Sequence, residues 1–161
     1  MKNALISQYE ASLRMLMDVI EKCPGSLWDD NSYESAYWRI VYHALFYTAL
    51  YLSKDEKQFV SWSRHIANYN VLGPLSHDKQ PIVITETYQK ADLLNYAQSI
   101  SDSLDTIVTD NFDFGSGFSW LPMNKLELHI YNIRHLQHHT GQLIERLHQN
   151  GISGINWIGR G

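Results

Sequence analysis

Four stretches of this chain repeat their apolar residues every three or four positions, and proline or glycine stands where the first and the last of these patterns break. That period belongs to helices with one face turned inward, and it leaves little room for a sheet. Leu5, Tyr9, Leu13, Leu16 and Ile20 trace the first stretch, over residues 3 to 23, and Pro24-Gly25 ends it. The second follows Asp29-Asp30-Asn31-Ser32, a run rich in N-cap side chains, and continues through Ala36, Ile40, His43, Ala44, Tyr47 and Tyr51 to Lys54-Asp55. Residues 54 to 84 hold Gly73, Pro74 and Pro81 without a sustained period, so they read as an irregular connection with one helical turn around Phe59-Val60-Ser61-Trp62. Thr85 reads as the cap of the third helix, with Glu86 in its first turn and a stripe from Tyr88 through Leu94, Ala97, Ile100 and Leu104 to Ile107. After the Gly-Ser loop 113–120, Pro122 suits the first turn of a fourth helix. Gly151 supplies its left-handed stop. The tail carries Ile155, Trp157 and Ile158, which are expected to dock on the helices. The expected fold is all-α: a single-domain four-helix bundle with a long crossover between the second and third helices.

At 161 residues the chain is long enough to bury a core without disulfides or a structural metal. Its net charge of −4, with Lys and Arg scattered in ones and twos, offers no basic stripe for phosphates, so nucleic acid is not an expected partner. Glu10 arrives too soon for a signal-peptide apolar region, and no apolar run reaches membrane length, so neither export nor a membrane partner is expected. Cys23 is the only cysteine, which rules out an intramolecular disulfide and fits a cytoplasmic setting. It stands at a helix C-terminus, where the macrodipole disfavours a thiolate, and reads as structural.

The chemistry is concentrated in Arg134-His135-Leu136-Gln137-His138-His139-Thr140-Gly141-Gln142. His135 and His139 lie four apart on the last helix, with Cβ atoms about 5–6 Å apart on one face, so both imidazoles can reach one divalent cation. On a helical wheel Leu128, Asn132, Leu136, His139 and Leu143 share the side of His135, whereas His129 and His148 point elsewhere. His138 lies beside that face and stands as an alternative to His139. The third candidate is His43, a lone imidazole in an apolar and aromatic stretch of the second helix. Bundle metal sites are built from side chains on facing helices, so His43, His135 and His139 form the expected ligand set. Asn132 and Gln142 are candidate hydrogen-bond partners that would orient the imidazoles. Gly141 is a point where another backbone would approach. Trp38, Tyr42, Tyr47, Trp62, Phe118, Trp120 and Trp157 are candidate walls of an apolar pocket over the metal. The competing reading is a hydrogen-bonded core cluster of histidines without an ion.

Two metal chemistries are disfavoured. A zinc protease of the His-Glu-x-x-His kind needs a glutamate where this chain has Leu136. Di-iron bundles need carboxylates from several helices and paired Glu-x-x-His motifs, which the chain lacks.

His135-x-x-His138-His139-x-Gly141-Gln142 late in the chain, together with His43 on the second helix, resembles the DinB/YfiT-like superfamily of bacterial bundle proteins over nearly the whole length. The resemblance implies a mononuclear divalent metal, usually nickel or zinc, on the residues matching His43, His135 and His139, often in a homodimer. It also implies a small-molecule substrate, since characterised relatives include transferases and isomerases that use low-molecular-weight thiols. Three imidazoles that leave a metal Lewis-acidic suit a thiol-dependent transferase or a hydrolase, and the rival reading is a non-catalytic dimeric metal- or ligand-binding, stress-related protein. One position departs from the family, which often has a basic residue after the histidine doublet where this chain has Thr140.

Overall fold

A computed structural model describes all residues, Met1 to Gly161, as helices and connections without strands. The elements are α1 (Lys2–Lys22), the single turn α2 (Gly25–Trp28), α3 (Tyr37–Leu52), a 3-10 turn at Glu56–Gln58, α4 (Lys90–Ile107) and α5 (Lys125–Gln149). The four long helices surround one core: α5 packs on α3 and α1, and α4 completes the ring against the same two. No helix is long and apolar enough to cross a membrane.

Each long helix forms where its apolar stripe can be covered. In α1 the stripe Leu5, Tyr9, Leu13, Leu16 and Ile20 is buried, and Cys23, held extended before Pro24, ends the helix. The chain resumes a single turn at Gly25. Cys23 is buried and burial pushes its thiol up to about 11, in keeping with a structural role. In α3 nearly every residue is buried, because neighbouring helices and the long connection cover all its sides.

Helix starts differ from the sequence expectation in three places. The Asp29–Ser32 cluster does not cap α3, which begins at Tyr37 with Ala36 at its N-cap and no side-chain cap. Asp29 accepts from Trp38 Nε1 and Thr87 Oγ1, and Asp30 closes a local turn on the Ser32 N–H. Thr85 does not cap α4, which starts at Lys90; its N–H and that of Glu86 both donate to the hydroxyl of buried Tyr69. Pro122 precedes α5 by three residues, and Asn124 is the cap, accepting from the Glu127 N–H. The turn expected at Phe59–Trp62 lies earlier, at Glu56–Gln58, where the Asp55 carboxylate accepts from the Lys57 and Gln58 N–H groups.

The connection between α3 and α4 is tied to the core at several points. The Arg39 guanidinium donates to the carbonyls of Val71 and Gly73, and Ser35 Oγ accepts from the Gly73 N–H. Tyr69 and Tyr88 insert beside Trp38 and Tyr42 to form a buried aromatic cluster. The C-terminal tail runs back along α1, joined by Lys22 to the Gly154 carbonyl, Gln8 to the Gly159 carbonyl and the Gly161 N–H to the Ser7 carbonyl. Ile152 and Ile155 pack on the core, whereas Trp157, expected to dock, is exposed.

Candidate metal centre

The extensive α3–α5 contact sets His43 of α3 opposite His135 and His139 of α5. His135 Nε2 lies 3.1 Å from His43 Nε2 and 3.2 Å from His139 Nε2. These three are the one group of His, Cys, Asp or Glu side chains whose ligating atoms converge, all within 4.8 Å of one another. Nitrogens that share an ion at about 2.0–2.1 Å each lie roughly 3–3.5 Å apart for tetrahedral or octahedral angles. The two separations to His135 fit that range.

The outer edges of the rings settle their tautomers. His43 Nδ1 donates to the main-chain carbonyl of Asn70 at 2.7 Å, and His139 Nδ1 donates to Gln142 Oε1 at 2.7 Å. Each neutral ring therefore carries its single proton on Nδ1 and turns a bare Nε2 lone pair toward His135. His135 Nδ1 is buried without a partner. If His135 is protonated on Nε2, it serves one of the two facing lone pairs and leaves its own Nδ1 lone pair unserved. If it is protonated on Nδ1, a buried N–H is wasted and three lone pairs converge with no proton among them. Neither arrangement satisfies the cluster, and buried polar groups are seldom left so. A cation among the three Nε2 atoms would satisfy all three lone pairs.

Burial pushes the His43 imidazole down to about 3, and its neighbours His139 and His135 add to the effect. Burial lowers His135 to about 4, helped by His139 and His138, and lowers His139 as well. All three rings are therefore neutral near pH 7, the form that ligates metals.

Several sequence-derived candidates take other places. His138 is exposed, with its ring beside His139 but outside the converging group, so the inward member of the doublet is His139. His148 is exposed as well. Asn132 does not orient an imidazole: it is fully buried and donates to the Thr48 carbonyl, one turn of α3 beyond His43. The group that holds His43 is instead the Asn70 carbonyl, in the irregular connection, where no periodic pattern marks it. Gly141 is exposed with nothing within 4 Å of where a Cβ would stand, so no backbone approaches there. Thr140 is buried and bonds back to the Leu136 carbonyl, turned away from the imidazoles.

Of the aromatic residues considered as pocket walls, Tyr47 touches the cluster, its ring 4.7 Å from His43 and 5.6 Å from His135. Trp38 and Tyr42 belong to the buried aromatic core, and Trp62 stacks on Tyr96. Phe118 and Trp120 pair with each other beyond Tyr51, which lies 6.4 Å from His135.

No family model, curated protein or solved structure matches the chain.

Proposed function

We propose that this chain is a four-helix bundle of the DinB/YfiT-like type that binds one divalent metal, nickel or zinc, through His43, His135 and His139, and acts on a small molecule as a thiol-dependent S-transferase or a hydrolase. The observation that carries this reading is the convergence of three Nε2 atoms, two of them fixed as lone-pair donors by Asn70 and Gln142. The group contains no fourth His, Cys, Asp or Glu, as expected of a site that keeps positions open for substrate.

A divalent ion there supplies a Lewis acid that lowers the pKa of a thiol or water brought to it. The chain's own contribution is to present three neutral imidazoles, with those of His43 and His139 held in fixed orientation. Asn70 and Gln142 keep the protons of His43 and His139 on Nδ1, and the Tyr47 ring packs against His43 and His135. A low-molecular-weight thiol is the proposed co-substrate of the transferase, and a cytoplasmic homodimer the proposed working form.

One observation favours a second reading, a non-catalytic metal- or ligand-binding protein. The principal cavities of the molecule, the largest of about 780 Å³, are lined by none of the three histidines.

Elemental analysis of untagged protein purified without chelator tests the metal, beside His43→Ala and His148→Ala. Near-stoichiometric nickel or zinc, lost in His43→Ala and kept in His148→Ala, supports the site. No uptake by the unmodified chain, even after incubation with either ion, overturns it. Thiol-transfer and ester- or amide-hydrolysis screens on the loaded form then separate the two readings.

A further inference from the structure

The cavity of about 780 Å³ lies at the other end of α3, between the Lys54–Gln58 segment, the end of α4, the loop around Phe114 and the first turns of α5. Its size is that of a small-molecule site, about 300–1,000 Å³. Two residues on one face of α5, Lys125 and His129, line it four positions apart.

His129 is only 5 % exposed. Its Nδ1 pairs with the buried Tyr9 hydroxyl at 3.1 Å, closer to that hydroxyl than the His129 carbonyl at 3.4 Å; with the hydroxyl donating to Nδ1, the ring carries its own proton on Nε2. Burial and the neighbouring Lys125 hold the ring neutral, near 4. Nε2, on the opposite edge of the ring, has no protein hydrogen-bond partner and keeps solvent access, and His129 lines the cavity.

Lys125 adds a cation. Its Nζ donates to the carbonyls of Ser53 at 3.1 Å and Lys54 at 2.8 Å, which leaves one of three ammonium protons free. No carboxylate lies within 4 Å of it. Asp55 also lines the cavity, but its Oδ1 accepts from the Lys57 and Gln58 N–H groups and its Oδ2 from Gln58 Nε2. With Lys54 on the same rim, the charged lining is net positive. Ile107 and Phe114 stand exposed beside it as apolar surface.

We propose that this cavity is a second binding site, separate from the imidazole cluster, for a small carboxylate with an apolar body: the carboxylate taken by Lys125 Nζ and His129 Nε2–H, the body lying on Ile107 and Phe114. Two donors of this kind, one charged, match the two oxygens of a carboxylate and give short, strong hydrogen bonds. The site does not depend on the metal reading.

The test is a titration of the full chain with octanoate, 4-phenylbutyrate and 1-octanol, followed by amide proton–nitrogen correlation spectra. Expected are shifts at Asn111, Gly117, Lys125 and His129 with both carboxylates, and binding of the neutral alcohol weaker by about tenfold or more. Lys125→Met should weaken octanoate by a similar factor, Lys125→Arg should retain it, and His135→Ala should leave it unchanged. Equal binding of octanol to the unmodified chain overturns the proposal without any variant. So does the absence of shifts at those amides with millimolar carboxylate, or their appearance around His43 and His139 instead.

Discussion

The main-chain carbonyl of Asn70 accepts the Nδ1 proton of His43 across 27 positions of sequence, so an irregular connection decides which nitrogen of a helix residue faces the cluster. One turn earlier on α3, Arg39 grips the same connection through the Val71 and Gly73 carbonyls. Arg39→Ala strips both carbonyls of their donor and empties buried volume. It should cost about 2–4 kcal/mol in urea unfolding. Amide exchange at Val71 and Gly73 should accelerate beyond what global destabilisation explains.

Gln142 is exposed, and its polar contact is with His139 Nδ1. Gln142→Ala should leave stability within about 0.5 kcal/mol while weakening nickel or zinc binding by about tenfold, because the ring loses the acceptor that fixes its tautomer. Gln142→Glu supplies a carboxylate acceptor and should restore affinity. Competition with a chromogenic chelator measures both.

His129 gives the protein a stability that depends on pH. Burial and Lys125 hold its folded pKa near 4, against an ordinary 6.5. Between those values the unfolded chain takes up a proton that the folded one refuses, so unfolding binds protons and stability falls as the pH falls. The contribution is complete above pH 6.5 and is lost on descending toward pH 4. In His129→Gln the decline between pH 7 and pH 5 should be shallower than in the unmodified protein. His43 and His135 are present in both proteins, so the difference isolates His129. Urea unfolding at the two pH values reads it.

Gly117 has φ +89°, and a Cβ there would stand 2.5 Å from the Lys54 carbonyl oxygen. Its own carbonyl accepts from the Glu56 N–H. Gly117→Ala must adopt a left-handed conformation and push apart two backbones that form a wall of the large cavity. A loss of about 2 kcal/mol or more is expected in thermal or urea unfolding. Gly141→Ala, in open helical surface, should be neutral or stabilising.

What the sequence made legible follows from what repeats. The stripe from Leu5 to Ile20 and the run from Leu128 to Leu143 announce their helices because burial at helical spacing is periodic, and His135 with His139 is readable for the same reason. Helix starts were less legible. Asp29 and Thr85 have the chemistry of caps but are claimed by Trp38 and Tyr69, partners that only the fold brings near. Asn70 left no mark at all, since a main-chain carbonyl is the same in every residue. Asn132 misled because the helical wheel gives an angle but no depth: it shares the side of His135 yet reaches Thr48, lower in the core. His129 points away from the face that carries His135 and His139. That orientation is what places it against Tyr9 and the second cavity.

The enclosure of α3 on nearly all sides has a consequence for how the molecule breathes. Native proteins open in parts, and segments with few buried contacts open first. The connection, the Phe114 loop and the tail are more exposed than α3, so their amides should exchange with solvent through small, frequent openings. Those of Val41 to Leu45 should be released only when the whole core comes apart. His43 would then keep its place on a scaffold that outlasts the carbonyl holding its ring, and the cluster would lose its order from the rim inward.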